Sequence, residues 1–451
     1  MCLDSTIVAL STAPGVGAIA VIRLSGSRSL NIAQLLIGVD GKIKPREVTR
    51  FNILSGDDII DDVLITYFKN PNSYTGEDLI EISCHGGPYI VNKIIELCLK
   101  GGAVLAKPGE FTKRAFINGK IDLAQAEAVS DLVFSQTQSA HKAALNMLTG
   151  KVGRDINDLR NKIIEIISIL ELELDFSDNE INPIPPGKIQ KSIGLILQRT
   201  KYLYASYSGG KILKQGAVVP IVGPPNSGKS SLLNAFLKEE RAIVTPYPGT
   251  TRDSLEETIV VNGFLIRLVD TAGIRKTTNP IERIGIDRSV ACFQSGDVVL
   301  FVIDANQPIK KDWERYYLQK KRLIIVINKT DIADKKKIVR LQNKFKSFPC
   351  ILTSARYHTG IHDLSQMIVK IISNQTAVLD SVIITNKRQA ILLNSAARYL
   401  TIAQKHIMTG LPSEMFIADL RMALNKFDEI LGKITTDEIL NNIFNNFCVG
   451  K

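Results

Sequence analysis

The residues best equipped for chemistry in this 451-residue chain are Gly223-Pro224-Pro225-Asn226-Ser227-Gly228-Lys229-Ser230, a G-x-x-x-x-G-K-S run. Its glycines let main-chain N–H groups close around phosphate oxygens at a helix N-terminus. Lys229 can reach the outer phosphates, and the Ser230 hydroxyl can ligate Mg²⁺. The context fits: residues 217–222 read as an apolar strand, and Ser231 opens a helical pattern that runs through Leu237. Asn226, Ser227, Gly228, Lys229, Ser230 and Ser231 are therefore candidate contacts to a nucleoside triphosphate.

Two later strand ends select the base. Asn328-Lys329-Thr330-Asp331 closes the apolar run 323–327, and Ser354-Ala355 closes 350–353. A carboxylate at Asp331 accepts two hydrogen bonds, from N1–H and the exocyclic amine of guanine. Adenine offers no such donor pair on that edge, and a site built for it discriminates by several powers of ten. Asn328 can bond N7 and support the loop, the Lys329 stem can cover the ring, and the Ala355 N–H can meet O6. The expected nucleotide is GTP.

Hydrolysis needs a metal and an aligned water. Asp270-Thr271-Ala272-Gly273 follows the run 265–269, where Asp270 can hold Mg²⁺ through water and Gly273 can sense the γ-phosphate. Thr251, within Gly249-Thr250-Thr251-Arg252-Asp253, supplies the second hydroxyl for Mg²⁺. Signalling GTPases orient the water with a glutamine directly after this Asp-Thr-Ala-Gly; here the position is Ile274, which neither donates nor accepts. Glu282, in Ile281-Glu282-Arg283-Ile284-Gly285, is the nearest carboxylate with a helical anchor, and it fits an ordinary helix N-terminal acid equally well.

The elements that must position these groups fall into three regions. Residues 1–118 mix strand-like runs (6–10, 18–24, 63–68, 79–83) with helical ones (30–36, 90–100), an α+β pattern. Helical spacing takes over across 119–210, where Leu123, Ala126, Val129 and Val133 share a face, residues 156–174 form a long helix, and a third starts at Lys188. It returns over 376–451, with Ser413 as a plausible N-cap. Between them, 211–375 alternates strands and helices. The simplest arrangement is an α/β domain inserted into a helical bundle.

Bulk composition narrows the class. Hydrophobic residues make up 45% and charged residues 22%, as in ordinary globular proteins. Six scattered cysteines without zinc spacing point to a reducing compartment, and the adjacent Cys84-His85 pair is poorly arranged to face one ion. Neither a signal peptide nor a membrane-length apolar run is visible, so a cytoplasmic protein with no membrane partner is expected. A net charge of +11 suits a polyanionic partner, although a Lys-, Ile- and Asn-rich composition produces the same balance. Lys335-Lys336-Lys337, with Lys344 and Lys346, reads as a solvated helix face.

Taken with Pro14 to Gly26, His85-Gly86-Gly87-Pro88, Pro108-Gly109-Glu110-Phe111-Thr112, Leu123-Ala124-Gln125-Ala126-Glu127-Ala128 and the terminal Cys448-Val449-Gly450-Lys451, the chain resembles the tRNA modification GTPase MnmE (TrmE) family from end to end. The resemblance implies a multidomain protein: an α+β N-terminal folate-binding-like and dimerisation domain, an α-helical bundle, and an inserted Ras-like α/β P-loop G domain. It implies a potassium-dependent GTPase and homodimer. In that family Asn226, Thr245, Tyr247 and Thr250 would ligate K⁺, the loop Thr245-Pro246-Tyr247-Pro248-Gly249-Thr250 would wrap the ion and the nucleotide, and Glu282 would orient the water. By residue type alone, Asn226 is also an ordinary turn former.

The resemblance implies a second site as well. Arg23, Glu81 and Lys120 match the family's folate-contacting pattern, with Lys451 closing over the pocket. The one-carbon donor would be 5,10-methylene-tetrahydrofolate, and its 5-formyl form an analogue. A guanidinium suits folate's glutamate carboxylate and a carboxylate suits pterin N–H groups, but each of these residues alone also reads as a surface charge. Cys448 is either a reactive thiol or a small residue packing the last turn. With a flavin- and NADH-using protein of the MnmG (GidA) family, in a heterotetramer, such chains add an aminomethyl or carboxymethylaminomethyl group at C5 of the tRNA wobble uridine. The chain has no G-x-G-x-x-G of its own, consistent with the redox step lying on another polypeptide. A competing expectation is a GTPase switch that binds rRNA during ribosome assembly; related proteins of that kind carry KH-type or tandem GTPase modules, absent here.

Overall fold

In the computed structural model, which describes residues 5–38, 43–175, 185–239, 256–270, 296–308, 322–376, 382–445 and 447–450, the alternating runs near the N-terminus pair into one six-stranded sheet. Its strands are β1 (Ile7–Leu10), β2 (Gly17–Ser25), β3 (Val48–Ser55), β4 (Asp58–Phe68), β5 (Leu79–Gly86) and β6 (Val104–Leu105), in the order β3-β4-β5-β2-β1-β6. Neighbours are antiparallel except β1 and β6. Period-two alternation gives the sheet one apolar face: Ile22, Leu24, Val63, Ile65, Ile80 and Ile82 pack with Ile32, Leu36, Val91 and Ile94 of helices Ser29–Ile37 and Pro88–Lys100. Arg23 and Glu81 occupy partner positions on the other face. Strands β3 and β6 carry no clean apolar run of their own, and pairing with β4 and β1 supplies their order.

The chain divides into two compact units: Met1–Val133, Met147–Ile196 and Arg398–Lys451, and separately Phe134–Asn146 and Leu197–Ala397. The first contains the sheet above and much of the helical pattern. There, helix Lys151–Asp175 lies along helix Ser413–Leu431, tied by Arg160–Asp428 and Arg421–Glu171 ion pairs. Ser413 is not the N-cap anticipated from sequence. Pro412 holds that place (φ −53°, ψ 145°), and Ser413 becomes the first helical residue. Gly432, at φ 80°, ends that helix, and Thr436 caps the next, Asp437–Phe444, by accepting from the Ile439 N–H. The helix that starts at Pro186 runs on without a break to Gln215.

The second unit holds β7 (Ala217–Val222), β8 (Glu256–Val261), β9 (Phe264–Asp270), β10 (Val299–Asp304), β11 (Leu323–Asn328) and β12 (Cys350–Leu352), ordered β12-β11-β10-β7-β9-β8. All pairs are parallel except the edge pair β8–β9. Parallel strands covered on both faces read as continuous apolar runs, and β10 and β11 are buried at every position. Leu300, Val302, Ile324 and Val326 face helices Lys229–Glu239 and Ile361–Thr376; Phe301, Ile303, Ile325 and Ile327 face Phe345. The chain leaves β7 for β8 and β9 on one side and returns to β10 on the other. Strand order thus reverses beside the C-terminal end of β7, where open α/β sheets bind ligands.

Candidate functional site

The phosphate-loop pattern sits at that reversal. Buried β7 delivers the chain to Gly223, and helix Lys229–Glu239 leaves it. Two glycines are obligatory: a Cβ on Gly223 (φ 150°) would strike the Val302 carbonyl oxygen, and one on Gly228 (φ 93°) would strike Asn328 Nδ2. The loop suits a phosphate chain on two further observations. Among the described residues the buried Ser227 hydroxyl has no hydrogen-bond partner, and Lys229 Nζ donates to the Gly223 and Pro224 carbonyls at 3.1 and 2.8 Å, an ammonium held among loop oxygens. Ser230 is exposed at the start of the helix, followed by exposed Ser231. Asp270 ends β9 in register with Ile221, two residues before Gly223.

The base-selecting loops are stitched directly to the phosphate loop. Asn328 is 1% exposed; its Nδ2 donates to the Ser227 carbonyl at 3.0 Å, and its Oδ1 accepts from the Ala355 N–H at 3.1 Å and the Thr353 hydroxyl at 3.3 Å. The Ala355 amide therefore engages Asn328 in this structure, whereas the sequence pattern has it facing O6. Ser354 Oγ donates to Asp331 Oδ1 at 2.6 Å, leaving Oδ2 of an exposed carboxylate to meet a base. Lys329 takes the left-handed backbone (φ 62°, ψ 36°), and Asn226 does likewise (φ 60°). Thr245, Pro246, Tyr247, Pro248, Gly249, Thr250, Thr251, Thr271, Ala272, Gly273, Glu282 and Lys451 lie outside the described residues.

Sequence reasoning misses Asp304. This carboxylate ends β10, is 7% exposed, and takes the Lys329 ammonium at 2.9 Å, while the same ammonium donates to the Asn226 carbonyl at 2.7 Å. Its other oxygen accepts from the Asn306 N–H. Asp304 thereby holds the Lys329 ammonium against the phosphate loop. The only signal in sequence is one acid ending an apolar run, too common to single out. With charge-assisted bonds worth about 1.5–3 kcal/mol, Asp304→Ala should weaken GDP binding roughly ten- to hundredfold. Fluorescent-GDP titrations of Asp304→Ala, Lys329→Ala and the double variant form the check: losses that simply multiply would show that Asp304 does not act through Lys329.

The one-carbon candidates lie in the first unit. Arg23 and Glu81, anticipated as separate ligand contacts, form one ion pair in the structure (Nη2 to Oε1, 2.6 Å; Nε to Oε1, 3.0 Å). The guanidinium lies 5.6 Å from the Tyr74 ring centroid and 5.7 Å from that of Phe111, two aromatic neighbours that the sequence pattern does not single out. Burial raises the Tyr74 phenol above its ordinary value, while its bond to Thr112 and the Arg23 charge pull it down. Exposed Lys120 donates to the Pro71 carbonyl at 3.0 Å, against the loop that carries Tyr74. The Cys448 carbonyl accepts from the Gly109 N–H, and Ser11 donates to the Gly450 carbonyl, so the C-terminal segment reaches the end of β1 and the turn before Phe111. The Cys448 thiol is free and exposed. Burial pushes Cys84, Cys98 and Cys350 up to about 11, 12 and 11, which leaves them unreactive near neutrality. Cys84 and His85 point to opposite faces of β5, buried and exposed, so they cannot share an ion.

A family model described as the MnmE helical domain matches residues 123–448, and one described as the GTP-binding protein TrmE N-terminus matches 6–120. The chain belongs to the MnmE family. It is 41% identical to the tRNA modification GTPase MnmE of Thermotoga sp. (strain RQ2) over 99% of this chain and all of the relative. It is 39% identical to that of Clostridioides difficile (strain 630) over the full length of both. Among solved structures, the G domain of the T. maritima FeoB iron transporter is 27% identical, covering 34% of this chain and 98% of that one, with a TM-score of 0.26. Among the described residues no helix is long and apolar enough to cross a membrane.

Proposed function

We propose that this chain hydrolyses GTP with Mg²⁺ and K⁺ and, in the cytoplasm, acts with a flavin-dependent MnmG-type partner to modify C5 of the tRNA wobble uridine using a tetrahydrofolate one-carbon unit. The observation that carries the reading is the stitching of an Asn-Lys-x-Asp loop to a phosphate loop through Asn328–Ser227 and Lys329–Asn226, in a chain whose remaining regions match the MnmE and TrmE models.

In this reading Gly228, Lys229, Ser227 and Ser231 hold the phosphates, and Asp331 with Ser354 and Ala355 holds guanine. Ser230, Thr251 and Asp270 are the groups for Mg²⁺, which neutralises developing phosphate charge when bound. Exposed Asn226, with Thr245, Tyr247 and Thr250, would hold K⁺, which supplies positive charge beside the γ-phosphate. Glu282 orients the water in place of Ile274. Arg23, Glu81 and Lys120 would hold folate, with Tyr74 and Phe111 flanking the guanidinium and Cys448 and Lys451 closing from the C-terminus. The folate carries the one-carbon unit. The active assembly is a homodimer joined to the partner as a heterotetramer.

Nucleoside analysis of bulk tRNA from a strain lacking the chain is the test. Loss of aminomethyl-type wobble uridines is expected. Intact nucleosides with abnormal ribosomal subunits would overturn the reading and favour an rRNA-binding switch.

A further inference from the structure

Helix Lys335–Lys344 presents a surface charged with one sign. From Lys335 to His362 the chain contains no acidic residue, yet it carries Lys335, Lys336, Lys337, Arg340, Lys344, Lys346 and Arg356. The helix has no fully buried residue; Ile338 and Leu341, followed by Phe345, attach it to the core. Lys336, Arg340 and Lys344 recur every fourth residue, so they form a ridge turned away from that apolar attachment. Among the described residues no carboxylate pairs with Lys335, Lys336, Lys337 or Arg340.

The arrangement costs local stability. Three ammonium groups occupy the first turn, the positive end of the helix dipole, where cations are disfavoured. Lys336–Arg340 and Arg340–Lys344 are like-charge i,i+4 pairs, each unfavourable. Asp334 caps the helix by accepting from the Lys336 N–H, so the start is fixed, while Lys336 and Arg340 have no carboxylate partner among the described residues. A polyanion laid along the ridge would offset both costs and release its own counterions.

We propose that this ridge, with Lys337 flanking it, contacts the phosphate backbone of the tRNA substrate. The inference rests on the reading that tRNA is the substrate, and it assigns the G domain a direct part in holding it. A helix this exposed, with no aromatic side chain on its ridge, offers charge without base readout, so the contact is sequence-independent.

The test uses the full-length chain and fluorescent unmodified tRNA, titrated by anisotropy at several KCl concentrations. Lys336→Ala/Lys337→Ala/Arg340→Ala should weaken binding about tenfold or more near 0.1 M salt. It should also make the slope of log K against log salt shallower by roughly two units. GTP hydrolysis should match the wild type, and the melting temperature should equal or slightly exceed it, because the substitutions remove the like-charge pairs. Wild-type binding that the triple variant leaves unchanged in affinity and slope would overturn the ridge alone. Failure of the wild type to bind tRNA at any salt would overturn the substrate reading with it. A variant that keeps tRNA but loses association with an acidic protein partner would reassign the surface and also overturn the proposal.

Discussion

Asp331→Asn will turn a guanine site into a xanthine site. In the wild type, Ser354 holds one oxygen of Asp331 at 2.6 Å, and in the proposed site the other meets the base edge. Guanine presents two donors there, N1–H and the 2-amino group. An asparagine presents an NH₂ in place of one oxygen, so donor meets donor. Xanthine carries a carbonyl at C2 and accepts from that NH₂. Sites built to pair such edges reject the mismatched base by about 10⁴-fold, so GTP affinity should fall by roughly 10³ or more while XTP affinity rises. Competition titrations of GTP and XTP against a fluorescent nucleotide read both numbers. Equal preference for the two bases in wild type and variant would remove Asp331 from base recognition.

Glu282→Ala should cut the rate of hydrolysis while leaving nucleotide affinity almost unchanged. Ile274 stands where signalling GTPases keep a water-orienting glutamine, and an isoleucine can neither donate nor accept. General-base or water-positioning groups contribute about 10²–10⁴ in rate. Single-turnover quenched-flow with GTP gives the rate, and equilibrium titration gives the affinity. A variant that binds GTP less tightly but turns over bound nucleotide at the wild-type rate would make Glu282 an ordinary helix-terminal acid.

The phosphate-loop and Asn-Lys-x-Asp segments are legible in sequence because their patterns are local. Gly223 to Ser230 and Asn328 to Asp331 are contiguous, and each closes an apolar run whose length marks a buried parallel strand. Asp304 is not legible, because its meaning depends on β10 lying between β7 and β11, which brings a strand-end acid beside Lys329. The N-terminal site shows the same limit. Arg23 and Glu81 are 58 residues apart, and only the antiparallel register of β2 and β5 makes them an ion pair. The helix boundary at Ser413 fails for a different reason: a preceding proline already occupies the cap position, so Ser413 falls inside the helix. The basic helix reads as a solvated face and is exposed as expected; the cost of its charge pattern emerges only with the attachment through Phe345.

In the proposed mechanism a monovalent cation supplies the charge an arginine finger provides elsewhere, a contribution of about 10³–10⁵ in rate. Single-turnover GTP hydrolysis by the wild-type chain, in KCl and in NaCl at equal ionic strength, measures it directly. Hydrolysis faster in KCl by roughly two orders of magnitude or more, with the difference abolished by Asn226→Ala, is the predicted result. The same rate in both salts would contradict the account.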